Sequence, residues 1–341
     1  MQNISISIQR TNAIKGLAIL AVVLLHMLAY PYGIYNSNKQ IFFISLDQLA
    51  RFCMPAFIML SGYGLAVKYG NEKIHYFKFL KKRIWKLLPL YLVWSFASIV
   101  IISSIPAWSF GNQPISLVTQ MLLGQADYQL YYLPVIFQLY ALFPLIWLFR
   151  KKANLVLIVA LVIQIALFIL YASKVTNSDR FEYVLSLSWI AYFVFGIYLR
   201  LKKLPNLLIK LAWPFGLSFF AVMAFSSLKQ INAGIDPLPA LKFTRLVVIP
   251  FGLFMNLALI VFKLPKESQS KKIMSSSLAW LGQNSYIIFL SHTIGLRIIY
   301  AIVKNQLPLG MLLGVIAAWI FTIFISQKML GEKKIKPVIN S

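Results

Sequence analysis

His26 stands in the apolar run AIKGLAILAVVLLHML, where an ionisable side chain is costly unless it faces protein or a wet cavity. A neutral imidazole is a good general base near neutral pH. Lys15 lies eleven residues earlier. In a helix the two differ by about 20° around the axis and about 16 Å along it. Ile19 and Val22 fall on the same stripe. A cation at one mouth of the helix therefore lies below a deep imidazole. The plainer alternatives are a structural histidine bonded to a neighbouring helix, and a snorkelling lysine.

Other polar residues interrupt apolar runs. Ser285 and His292 are seven residues apart and share a helix face, where His292 can equally serve packing or hydrogen bonding. Asp47 and Arg51 have the i, i+4 spacing of a helical ion pair. Arg83 and Lys86, three apart just before Pro89, suit clamping phosphates, or plain contact with lipid headgroups. Counted inward from the basic ends of their runs, His26 lies at about 20 Å, His292 at roughly 22 Å and Arg51 at roughly 24 Å. Gln138 and Tyr140 lie at about 15–18 Å. These depths coincide near a bilayer midplane, as a buried polar site would.

The elements that must position these groups are membrane helices. The 341 residues are 60% hydrophobic and 12% charged, far from a soluble domain's usual balance. The mean hydropathy is +0.77. Apolar runs near 13–33, 41–67, 87–105, 130–149, 153–172, 183–200, 206–227, 240–263, 277–302 and 307–327 predict about ten spans. The expected fold is all-α: a polytopic membrane protein with one bundle and one domain over 1–341. The first run lacks a cleavage site and is expected to be a retained helix, not a signal peptide. Segment 106–128 is too polar for a span and is expected to hold a short helix at the outer face.

Net charge is +25, from 33 Lys and Arg against 8 Asp and Glu. In a soluble chain that would suggest nucleic acid. Here the basic residues crowd alternate connections, among them 68–86, 150–152, 200–203, 263–272 and the tail after 327. The positive-inside rule then puts those connections and both termini in the cytoplasm. No nucleic-acid partner is expected. Cys53 is the only cysteine, which excludes an internal disulfide and a cysteine-based metal site. There is no Gly-rich nucleotide loop, no HExxH and no internal repeat, and no metal site is expected. His75, in a basic connection, is expected to be merely solvated.

Five segments together resemble the acyltransferase-3 family of integral-membrane acyltransferases. They are NAIKGLAILAVVLLH, with its basic residue and histidine; RFCMPAFIMLSGYGL, with Pro55, Ser61, Gly62 and Tyr63; KKRIWKLLPLY, with Arg83 and Lys86; YQLYYLPVIFQLYALFPL, with Tyr131, Gln138, Tyr140 and Pro144; and LGQNSYIIFLSHTIG. The resemblance spans residues 12–295. It implies a ten-helix bundle that moves acetyl or other short acyl groups from cytoplasmic acyl-CoA to hydroxyls of a cell-envelope glycan or glycolipid. It implies His26 as base, and Lys15, Arg83, Lys86, Arg51, Ser61, Tyr131, Gln138, Tyr140, Ser285 and His292 as binding residues. Acyl-CoA enters as donor substrate and no resident cofactor is implied. The setting is a plasma membrane, of bacterial type, with lipid around the bundle. Either the chain completes transfer alone or it hands the acyl group to a separate extracytoplasmic partner.

The chain departs from common family positions at Asn12, Ala18, Ile136 and Phe137, where relatives often carry charged residues. Asp127 and Asp47 are the candidate replacement carboxylates. Some relatives, associated with surface-polysaccharide adhesin synthesis, are assigned either export or acyl modification, so a polysaccharide exporter or flippase is the alternative. An ion or small-solute transporter is a third reading; inverted repeats, paired Gly/Pro-broken midplane helices or acidic midplane groups would favour it, and Pro55, Pro134, Pro214 and Pro250 form no paired pattern.

Overall fold

The computed structural model describes residues 1–2, 4–29, 39–70, 72–103, 117–173, 181–262 and 269–303. The expected span at 307–327 and the basic tail lie outside the described residues. Helices follow one another as α1 (Ile8–Ala29), α2 (Gln40–Ala50), α3 (Cys53–Tyr69), α4 (Tyr76–Ser103), α5 (Leu117–Leu122), α6 (Tyr132–Leu148), α7 (Ala153–Ser173), α8 (Phe181–Val184), α9 (Ile190–Leu201), α10 (Asn206–Asn232), α11 (Pro237–Ala240), α12 (Val248–Val261), α13 (Gln269–Gln283) and α14 (Ser285–Val303). No strand occurs among the described residues; Gln2 and Leu204 form one isolated antiparallel bridge.

Five segments among the described residues are long and apolar enough to cross a membrane: Ile8–Leu28, Gln40–Tyr69, Tyr76–Ile101, Arg150–Ser173 and Asn206–Asn232. Shorter apolar helices cover Tyr132–Leu148, Ser186–Leu201 and Val248–Val261. The all-α membrane architecture is thus present. Several expected runs are subdivided. The run at 41–67 breaks at Arg51–Phe52 into α2 and α3, and the run at 277–302 breaks at Asn284 between α13 and α14. Hydropathy registers apolarity and is blind to such breaks. The polar stretch before α6 does carry a short helix, α5, within its described part.

α1 and α3 are central. α1 packs on α13, α3, α14 and α2, while α3 packs chiefly on α9. α4, α7 and α10 turn apolar side chains outward, including Phe96, Val100, Ile158, Val162, Val222 and Phe225. Such faces suit lipid, which replaces water around a spanning helix.

Glycines allow the central helices to touch, as small residues do in membrane bundles. A Cβ on Gly62 would lie 2.1 Å from the Phe193 carbonyl oxygen, and one on Gly196 would lie 2.0 Å from that of Met59. The same reciprocal closeness joins α1 to α13: a Cβ on Gly16 would meet Leu278 O at 1.9 Å, and one on Gly282 would meet Asn12 O at 1.8 Å. Backbone cannot yield there as a side chain could. Gly282→Leu is therefore expected to cost about 3 kcal/mol by overpacking. Thermal unfolding of the purified variant in detergent measures it.

The N-terminal residues are strapped beneath this core. Gln2 and Leu204 exchange backbone hydrogen bonds of 2.8 and 2.9 Å, and the Ile6 N–H donates to the Tyr63 hydroxyl at 2.9 Å. Tyr63, in the SGYGL segment, is thus an anchor for the strap.

Candidate functional site

α1 is one unbroken helix carrying Lys15 and His26, as the spacing predicts. It begins at Ile8, earlier than the hydropathy pattern suggests, because its first turn is polar. His26 therefore stands about 27 Å along the helix, close to its far end at Ala29. Ile19 and Val22, between Lys15 and His26 on the stripe, are fully buried.

His26 is half-buried and faces two rings from other elements. The Tyr128 ring centroid is 4.6 Å away and that of His292 is 5.1 Å away. So the first and last helices that the sequence singles out do bring their imidazoles together. His292 is buried, and its Nδ1 lies 3.0 Å from Ile288 O and 2.9 Å from Phe289 O. Carbonyl oxygens only accept, so Nδ1 carries the proton and Nε2 keeps its lone pair.

The segment before α6 closes over this pair. Asp127 and Arg297 form a buried ion pair of 2.9 Å. Gln129 Nε2 donates to Thr293 Oγ1 at 2.7 Å. The Arg297 guanidinium lies 5.6 Å from the Tyr128 ring centre. Thr293 and Arg297 are one helical turn apart on α14, so two contacts fix a short strap, and the strap sets Tyr128 against His26. The sequence alone does not single out Tyr128, Gln129, Thr293 or Arg297, and it offers Asp127 only as a candidate carboxylate. The available signal was Arg297, a cation within an apolar helix that already contains His292.

A second polar network borders the break after α2. Asp47 accepts from Arg51 Nε at 2.9 Å and Nη2 at 3.1 Å, which makes the expected i, i+4 ion pair. Gln48 donates to Asp47 and accepts from Arg245, which also donates to Ala240 O, Ser226 and Ser227. The Arg51 guanidinium lies 4.5 Å from the Phe243 ring centre. Nearby, Glu182 accepts from Lys242 at 3.2 Å and from Thr244 at 2.7 Å.

The other expected residues separate by end. At the Lys15 end, Lys15 lies close enough to Lys86 for mutual repulsion, and Lys86 likewise to Arg83 and Lys82. Arg83 is set among the rings of Tyr69, Phe79 and Tyr140, at 6.0, 5.8 and 5.8 Å. Ser61 is within hydrogen-bonding reach of Tyr132 and Tyr140. Tyr140 thus belongs with Arg83 and not with the imidazoles. Gln138 commits both ends of its amide to backbone, donating to Val184 O at 2.9 Å and accepting from Ser186 N–H at 3.1 Å. Tyr131 stacks on Trp189 at 6.3 Å. The Ser285 hydroxyl donates to Gly282 O at 2.8 Å, across the α13–α14 break. These contacts position helices.

The arrangement joins a cluster of like-charged cations at one end of α1 to an imidazole pair at the other. The first suits a polyanion such as a phosphate chain; the second suits proton transfer from a hydroxyl. Compared with known families, residues 8–327 match the model described as an acyltransferase domain. No curated protein and no solved structure matches the chain.

Proposed function

Since the chain belongs to the acyltransferase-3 family, we propose that this membrane O-acyltransferase moves an acetyl group from cytoplasmic acetyl-CoA to a hydroxyl of a cell-envelope glycan or glycolipid, with His26 as general base. The observation that carries the reading is the polarity of α1. One end sits in the Lys15, Arg83 and Lys86 cluster, and the other presents His26 to Tyr128 and His292.

The donor's phosphates sit at the cationic end, and its thioester reaches toward His26. The acceptor hydroxyl gives its proton to the His26 imidazole, neutral at pH 7 for an ordinary histidine. The hydroxyl oxygen attacks the thioester carbonyl. The new carbon–oxygen bond forms, the carbon–sulfur bond breaks, and the thiolate leaves with the electron pair. The proton held by His26 passes to that thiolate, which restores the neutral base.

The test is incubation of purified protein with acetyl-labelled CoA and cell-envelope glycan. Label entering an alkali-labile ester supports the reading; glycan translocation with no ester formed supports an exporter. Arg83→Ala and Lys86→Ala are each expected to raise the KM for acetyl-CoA about tenfold or more, the loss of one charge-assisted contact. kcat should change much less. A fall in kcat at constant KM would remove these residues from donor binding.

A further inference from the structure

We propose that His292 reads a second hydroxyl of the acceptor, next to the one that His26 deprotonates, so that the acceptor carries neighbouring neutral hydroxyls, as a sugar ring does. The inference rests on the acyltransferase reading above and deepens it.

His292 is only 3% exposed, and its Nδ1–H is committed to two backbone carbonyls. Its Nε2 is buried and has no hydrogen-bond partner among the described residues. A buried acceptor without a donor is unfavourable and rare in folded proteins. With the proton held on Nδ1, Nε2 can only accept. Whatever satisfies it must bring a hydrogen, which excludes an ionised phosphate or carboxylate and suits an alcohol.

His292 also faces His26 across 5.1 Å between ring centres. A single hydroxyl has one hydrogen and cannot serve both imidazoles. Two oxygens on adjacent carbons can: one gives its proton to His26, the other donates to Nε2. The Tyr128 ring, 4.6 Å from His26, supplies an apolar wall of the kind that packs on a sugar's C–H face. His292 then orients the acceptor and does not itself exchange a proton.

The test uses purified full-length protein, acetyl-labelled CoA and two probe acceptors, a vicinal cis-cyclohexanediol and cyclohexanol. Wild type is expected to favour the diol in kcat/KM by at least about tenfold, because a site built for a hydroxyl penalises its absence. His292→Phe should bring that ratio near one, with diol transfer, cyclohexanol transfer and hydrolysis of acetyl-CoA each followed. A wild-type ratio near one, or a ratio that survives His292→Phe, overturns the proposal. So does loss of all three activities in that variant, which would make His292 part of the proton path. Loss of nothing in His26→Gln would instead overturn the base assignment. A readout independent of turnover is nitrogen NMR of histidine-labelled protein. The diol, not cyclohexanol, should shift the signal that disappears in His292→Phe; an unmoved signal overturns the proposal.

Discussion

Replacing His26 with glutamine is expected to leave the protein inserted and folded while acetyl transfer falls by about 10²- to 10⁴-fold, the usual contribution of a general base. Glutamine keeps comparable bulk and polarity against Tyr128 and His292 but cannot accept a proton at neutral pH. His26 is half-buried, in ring contact and in no ion pair among the described residues, so little stability depends on its basicity. Transfer from labelled acetyl-CoA gives the rate, and gel filtration with thermal unfolding shows that the fold persists. A variant within threefold of wild type would remove the base assignment and leave His26 as a packing residue.

Neutralising Asp127 is expected to damage both stability and activity. Asp127→Asn leaves the Arg297 guanidinium, 2% exposed, without its carboxylate. Breaking a buried pair from one side costs about 3–5 kcal/mol, because the remaining charge stays desolvated. The strap then loses its ion-pair tie to α14, and Tyr128 is no longer held on His26. The informative comparison is the double variant Asp127→Leu with Arg297→Met. Replacing both charges by apolar groups of similar size is often neutral or stabilising. Thermal unfolding should therefore return toward wild type while transfer stays low. Full recovery of transfer would show that the pair supports the fold only and does not position the site.

These two predictions differ in how far the sequence anticipates them. His26 was legible because a histidine in an unbroken apolar run is costly, and its relation to Lys15 follows from helical periodicity within one element. Asp127 and Arg297 are 170 residues apart. Neither residue's own neighbourhood in the chain points to the other. Arg297 was hidden by its surroundings: a window average over an apolar helix absorbs one cation. Gln138 illustrates the opposite error. Its depth suggested a shared polar site, yet it serves the backbone around Ser186, because depth carries no information on which side of a helix a neighbour stands. Gly282 and Ser285 behave similarly. The LGQNS segment resembles a functional motif, and its glycine and serine are occupied by packing against Asn12 and by the turn into α14.

By itself the sequence determined the all-α membrane character, the gathering of basic residues at alternate connections, and the stripe that puts Lys15 and His26 on one helix. All three follow from local composition and from the fixed rise and pitch of a helix. Tertiary structure alone decided that His292 meets His26, that the 127–129 strap brings Tyr128 onto that pair, and that Tyr140 joins Arg83. Those contacts depend on how helices rotate and approach one another. Side-chain volumes and backbone closeness at residues such as Gly16, Gly62, Gly196 and Gly282 set that geometry, and no one-dimensional pattern encodes it.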